Sequence, residues 1–199
     1  FQALAESADR PIKPERVVAE LRRVLDPAAI VVVDAGTPCP YFSAYYQVHG
    51  TGRRVFSNRA HGALGYSMAA AMGAHFARPE VKCVSVMGDG SFGFTCGELE
   101  TAARYHLPIT FIVIANASYG WIKAGQKSGY GQRYFAVDFA ATDHAAVAAA
   151  FGVKSWRITE PNDLGKVLKE ALGATEPTLV DIVCQPLHEA KAPVSEWIA

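Results

Sequence analysis

The sequence predicts an α/β domain built on an open, mainly parallel sheet with helices on both faces. Two observations predict it. Short apolar, β-branched runs alternate with stretches of helical spacing along the whole chain. One of those runs, Val81 to Met87, is apolar enough to be covered on both faces, and it runs straight into a glycine turn. The chain has 199 residues, half of them hydrophobic, which is enough for one domain with a proper core. It contains no internal repeat and no low-complexity tract.

Residues 1–12 are mixed and polar and read as a linker. Pro14 suits the first turn of a helix, and Val17, Val18, Leu21, Val24 and Leu25 give that helix an apolar stripe. Ala29 to Val33 is the first strand, ended by Asp34-Ala35-Gly36-Thr37-Pro38. Pro40 to Tyr46 reads as a short aromatic helix, Gly50-Thr51-Gly52 as a turn, and Arg54 to Phe56 as a short strand. Ser57 to Gly65 is irregular. Tyr66 to Phe76 is a helix whose Met68, Ala69, Met72 and Gly73 suit close packing on a sheet. After the Val81–Met87 strand, Thr95-Cys96-Gly97-Glu98 has the form of a capping box, so a helix is expected from Cys96 to His106. Leu107-Pro108 stops it, and Ile109 to Ala115 is the next strand.

Ala117 to Asp138 carries Tyr119, Trp121, Tyr130, Tyr134 and Phe135 with four glycines. That is too aromatic for a disordered linker. It reads as a loop with some helix, ordered by a ligand or partner. Asp143 to Phe151 is a helix stopped by Gly152, and Lys154 to Ile158 is a strand. Glu160-Pro161 opens a helix ending near Gly173, and Thr178 to Cys184 is the last strand. The domain proper is expected over residues 13–185, with 186–199 as a tail containing Pro193 and an exposed Trp197.

Formal net charge is zero, which removes any electrostatic case for nucleic acid or anionic membrane as a partner. No apolar run has transmembrane length, and no signal peptide is recognisable. None of Cys39, Cys83, Cys96 and Cys184 forms a C-x-x-C pair. Cys83 and Cys184 read as buried apolar residues, and a reduced, cytoplasmic protein is expected. The start at Phe1, without methionine, suggests a fragment or processed piece.

The chemistry centres on Val84 to Gly93 read together with Asn116. A strand runs into Gly88-Asp89-Gly90-Ser91, where two glycines flank an aspartate, with a helix to follow. Strand, tight turn and helix start make a phosphate-binding corner, because unpaired N–H groups point at the turn. Gly88-x-Gly90-x-x-Gly93 also satisfies the dinucleotide fingerprint, a rival reading as an oxidoreductase. Charge argues against it: a bare Asp89 carboxylate repels a pyrophosphate unless a divalent cation bridges them. Mg²⁺ takes oxygens from one or two carboxylates and from substrate phosphates. If the two strands are parallel neighbours, Asp89 and Asn116 share the rim where ligands of open α/β sheets bind.

Gly88-Asp89-Gly90-Ser91 followed by Asn116, with Glu98-Leu99, Thr101-Ala102 and Leu107-Pro108, resembles the diphosphate-binding domain of thiamine-diphosphate enzymes. The superfamily is that of acetolactate synthase, pyruvate decarboxylase and benzoylformate decarboxylase, and the resemblance covers nearly the whole chain. It implies thiamine diphosphate and Mg²⁺ as cofactors. Asp89, Asn116 and the carbonyl of Ser118 would hold the metal. Gly88, Gly90, Ser91, Gly36 and Thr37 would meet the diphosphate. The family's motif usually ends in two asparagines, and here the first is Ala115, which removes a supporting hydrogen bond. Gly62-Ala63-Leu64-Gly65 resembles the stretch that holds the pyrimidine, with Leu64 propping a bent cofactor and the Gly62 carbonyl accepting from its amine. Tyr119 is counted among the cofactor contacts. His61 is a candidate acid or base, while Trp121 and Lys123 could line the substrate end.

The reaction implied is decarboxylation, carboligation or C–C cleavage at a carbonyl carbon of a 2-oxo acid or related compound. The flanks look closest to acetolactate-synthase-like proteins, although Gly125 stands where that family usually has a substrate-channel tryptophan. No stretch resembles the pyrimidine-binding domain that carries the family's activating glutamate. The chain alone is therefore expected to hold cofactor without catalysing. Its partner surface would come from a missing N-terminal half or a separate subunit, in a homodimer or homotetramer. A non-catalytic subunit that keeps the fold is the rival from outside enzymology.

Overall fold

The computed structural model describes residues 1–49, 51–52 and 54–190. In chain order the elements are α1 (Gln2–Ala5), α2 (Pro14–Val24), β1 (Ile30–Val33), α3 (Pro38–Tyr45), β2 (Val55–Ser57) and α4 (Tyr66–Ala77). Then follow β3 (Cys83–Gly88), α5 (Asp89–Thr95), α6 (Glu98–Arg104), β4 (Thr110–Ala115), α7 (Gly120–Gly129), α8 (His144–Ala150), β5 (Lys154–Ile158), α9 (Leu164–Leu172) and β6 (Thr178–Val183).

The six strands form one sheet in the order β2-β1-β3-β4-β6-β5, and every pairing is parallel. Alternation along each strand divides the core in two. Val31, Val33, Val84, Val86, Ile112, Ile114, Val180 and Ile182 face one side, covered by α2, α3 and α9 through Val18, Leu21, Tyr41, Leu164 and Leu168. Val32, Cys83, Met87, Phe111, Val113 and Leu179 face the other, covered by α4, α5, α6 and α8 through Met68, Phe92, Leu99 and Ala148. The fully buried β3 and β4 lie at the centre, as a continuously apolar run requires.

Several boundaries depart from the expected ones. The stretch read as a linker contains the α1 turn, and Ile12 is fully buried beside Cys184 at the sheet rim. The tail is packed at its start, where Leu187 is buried; Pro193 and Trp197 lie outside the described residues, as does Gly50.

The capping box does not form. Thr95 ends α5, and its hydroxyl donates to the carbonyls of Gly65 and Ser91 and contacts Met68 Sδ. Helix starts earlier, at Asp89, directly on the glycine turn. The aromatic stretch, read as a loop with some helix, contains a helix of ten residues, α7, followed by an irregular return tied to Ser118 by a bridge at Asp138.

Candidate functional site

β3 and β4 run side by side, with Gly88 opposite Ile114, so their carboxyl ends deliver Asp89 and Asn116 to one rim. Asp89 is 8% exposed. Its Oδ2 accepts the main-chain N–H of Asn116 at 2.9 Å and of Ala117 at 2.6 Å, and its Oδ1 accepts from Gly90 N at 2.9 Å. Burial raises the carboxyl above its ordinary range, and the three N–H donors and the His144 charge oppose that rise. Ala117 has φ +52°, the left-handed region that non-glycine residues rarely adopt. That turn aims its N–H at Asp89, a strain of about 1 kcal/mol.

Asn116 is buried behind the rim. Its Nδ2 donates to Thr37 Oγ1 at 3.1 Å, and its Oδ1 accepts from Ser118 N and Oγ, both at 3.2 Å. These contacts tie the loop after β1 to the loop after β4. Gly120 permits the closure: a Cβ there would stand 2.5 Å from Thr37 Oγ1 and 3.0 Å from Asn116 Nδ2. Sequence reading missed this residue, since the clash exists only across loops distant in the chain. Gly120→Ala is expected to lower the unfolding free energy by about 2 kcal/mol, the scale of overpacking. Urea denaturation checks this, and an unchanged midpoint would contradict the packing.

Gly36, Thr37, Gly62, Leu64, Gly88, Asp89, Gly90, Ser91, Ser118 and Tyr119 all line one cavity of about 330 Å³. Arg59, Gly120, Trp121 and Ile122 complete much of its wall. Asn116 braces it from behind. Ala63 and His61 are exposed and do not line it. Lys123, offered as a substrate contact, is instead paired with Asp138 at 2.5 Å beneath the Tyr134 ring. Tyr119 packs edge-on against Phe139, close enough to Gly90 that a Cβ there would meet its ring at 2.6 Å.

The Gly62–Gly65 segment is held by Asp34, a residue without a role on sequence grounds. Asp34 is fully buried and accepts from Ala35 N at 3.1 Å, Gly65 N at 2.9 Å and Ser67 Oγ at 3.2 Å. Gly62 and Gly65 both have positive φ, so the chain arches and presents Leu64 to the cavity, next to Gly36.

Behind Asp89 lies a second group that sequence reading did not find. Asp181, fully buried in β6, accepts from His144 N and Nδ1, both at 3.1 Å, and from Arg157 Nη1 at 2.6 Å. His144 packs against the Phe92 ring of α5. The available signal was a lone aspartate inside the apolar run Thr178-Leu179-Val180-Asp181-Ile182-Val183.

The donors at the rim are hard oxygens: carboxylate, amide, main-chain carbonyl and the hydroxyls of Thr37 and Ser91. Among the described residues, no cluster of three or more His, Cys, Asp or Glu could hold a metal by itself. The set fits a cation such as Mg²⁺ that shares its shell with phosphate oxygens, and does not fit a thiophilic or imidazole-bound metal. Gly93, the third glycine of the dinucleotide fingerprint, stands in open space rather than against the sheet, so the close packing that fingerprint requires is absent.

Residues 34–182 match the family described as thiamine pyrophosphate enzyme, C-terminal TPP binding domain. The chain belongs to that family. A probable acetolactate synthase large subunit of Methanococcus aeolicus is 34% identical over 184 residues, which cover 89% of this chain and 31% of that protein. A benzoylformate decarboxylase of Pseudomonas aeruginosa is 29% identical over 196 residues, 94% of this chain and 35% of its own length. Among solved structures, the thiamine diphosphate-dependent 4-hydroxybenzoylformate decarboxylase of Rhodococcus jostii RHA1 superposes with a TM-score of 0.84 at 25% identity. That match covers 92% of this chain and 34% of the other. The chain thus spans about a third of the length of these relatives and is a thiamine-diphosphate-binding domain of the acetolactate-synthase-like type. Among the described residues no helix is long and apolar enough to cross a membrane.

Proposed function

We propose that residues 13–185 bind thiamine diphosphate through Mg²⁺ and form the diphosphate half of an active site. That site acts on 2-oxo acids or related carbonyl compounds by decarboxylation, carboligation or C–C cleavage. The observation that carries this reading is the convergence of Asp89, Asn116 and Ser118 beneath a cavity also lined by Thr37, Gly90 and Ser91.

In this reading the Asp89 carboxylate and the Ser118 carbonyl would hold the metal, joined by the Asn116 amide oxygen once it turns from Ser118 N and Oγ. Thr37 and Ser91 offer hydroxyls to the diphosphate, and Gly36, Gly88 and Gly90 let main chain approach it closely. Bound there, thiamine diphosphate supplies a carbanion that adds to a carbonyl and then accepts the electrons of the broken bond. The chain's own part is placement. Leu64 would set the bend of the cofactor, Asp34 fixes the arch that carries Leu64, and the Gly62 carbonyl would accept from the pyrimidine amine. Tyr119 completes the contacts, and Ala63, off the cavity wall, would meet the cofactor only by moving. Leu64, Trp121 and Ile122 would make much of the substrate end apolar. His61, outside the cavity lining, would reach substrate only by moving.

The activating carboxylate belongs to a pyrimidine-binding domain, elsewhere in a longer chain or on another subunit of a homo-oligomer. The relatives' greater length supports this. Calorimetric titration of the ligand-stripped, full-length protein tests the reading, with thiamine diphosphate added with and without Mg²⁺ and NAD as control. Mg²⁺-dependent uptake is expected. NAD binding that survives a chelator would restore the oxidoreductase reading, and uptake of neither would favour a non-catalytic subunit.

A further inference from the structure

Among the described residues two charged side chains line the cavity, and they are of opposite sign. Asp89 has its work at the metal end. Arg59 has none that the cofactor requires. It belongs to the irregular segment after β2 and is exposed, and among the described residues it forms no ion pair. It is nonetheless held in place. Its Nη1 donates to Cys39 Sγ at 3.2 Å, and its guanidinium stacks over the Trp121 ring at 5.7 Å. Cys39 is buried in α3 and Trp121 projects from α7, so two separate elements grip one arginine at the cavity wall. A guanidinium with a stacked face and a free donor edge is arranged to receive a planar or tetrahedral oxyanion.

Two anions could meet it in a substrate: the carboxylate that leaves as carbon dioxide, or one that stays. An ion pair to the departing carboxylate stabilises the ground state and is lost as the charge moves into the breaking bond, so it would slow the reaction. An ion pair to a retained group survives through the transition state and costs nothing in rate. Resting on the function proposed above, we propose that Arg59 binds a second, retained anionic group of the substrate. The substrate class is then a carbonyl compound bearing a carboxylate or sulfonate away from the reacting carbon.

The test uses the full-length protein loaded with thiamine diphosphate and Mg²⁺. Two unreactive probes of equal chain length are titrated calorimetrically: 2-hydroxyglutarate, with a second carboxylate, and 2-hydroxypentanoate, without one. Wild type is expected to bind 2-hydroxyglutarate about tenfold more tightly, the scale of one charge-assisted hydrogen bond. Arg59→Met should erase that preference while leaving the affinities for 2-hydroxypentanoate and thiamine diphosphate within about twofold, and Arg59→Lys should restore part of it. Absence of a preference in wild type, failure of both probes to bind, or equal loss of both in Arg59→Met would overturn the proposal. So would a loss confined to thiamine diphosphate affinity, which would make Arg59 a diphosphate ligand. Failure of wild type to take up the cofactor at all would instead overturn the function on which the proposal rests, and the proposal with it.

Discussion

Asp89→Ala is expected to weaken thiamine diphosphate binding at least about 100-fold in the presence of Mg²⁺, about 2.7 kcal/mol, and to abolish the dependence on the metal. The size follows from what the carboxylate does. It is the only side-chain anion among the described residues on the cavity wall, so without it the cation would have neutral oxygens alone with which to face a diphosphate. Alanine also orphans the N–H groups of Asn116 and Ala117, each worth about 1–3 kcal/mol if left unpaired and buried. Asp89→Asn separates the two effects. An amide oxygen in place of Oδ2 still accepts both N–H bonds but carries no charge, while the amide nitrogen in place of Oδ1 faces the Gly90 N–H, a loss of about 1 kcal/mol. The asparagine variant should lose less stability than the alanine variant and still lose Mg²⁺-dependent binding. Burial disfavours the charged form of Asp89 in the empty protein, so removing that charge should cost little stability or add some. Retained Mg²⁺-dependent affinity in a folded Asp89→Asn protein would remove Asp89 from the metal site.

A large loss of stability is also expected at Asp181, away from the cofactor rim. Asp181→Ala leaves His144 and Arg157 without their common carboxylate, and His144 is 6% exposed. Breaking a buried charged pair by removing one partner costs about 3–5 kcal/mol. The Arg157 side chain is 29% exposed and recovers part of its hydration, which places the expectation near about 3 kcal/mol. Chemical denaturation of the variant, compared with Asp181→Leu, checks the origin of the loss. If leucine restores the packing but not the stability, the orphaned partners are responsible; a loss below about 1 kcal/mol in Asp181→Ala would mean that water already serves them.

The sheet was legible because its inner strands are buried on both faces. Such strands must be apolar along their length, and Cys83–Gly88, Thr110–Ala115 and Thr178–Val183 advertise themselves without reference to anything else. Asp89 and Asn116 were legible for a related reason: each is the first polar residue after such a run. The α5 start was not. Locally, Thr95 and Glu98 favour a cap, but in the fold Thr95 ends a helix that already began at Asp89, and its hydroxyl faces the Ser91 carbonyl of that helix and the Gly65 carbonyl instead of Glu98 N. Gly120 and Arg59 carried no sequence signal, because their meaning lies in residues from other loops. Asp34 did carry one, a carboxylate at the end of an apolar strand, but nothing in the sequence said that it would turn back to hold the Gly65 arch rather than face a ligand.

The all-parallel strand order also governs how the chain reaches this state. No two neighbouring strands can be closed by a hairpin, so each pairing waits for a crossover helix or for an element far away in the chain. Loop closure is costly before such contacts repay it, which makes folding slow relative to a helical bundle of equal stability. While it lasts, Thr110-Phe111-Ile112-Val113-Ile114-Ala115 is uncovered on both faces and both edges. Six uncharged residues without proline, the first five of them β-prone, are a template for pairing between chains. The same run that places Asn116 at the rim is therefore expected to be where refolding and aggregation compete, and refolding yield should rise on dilution.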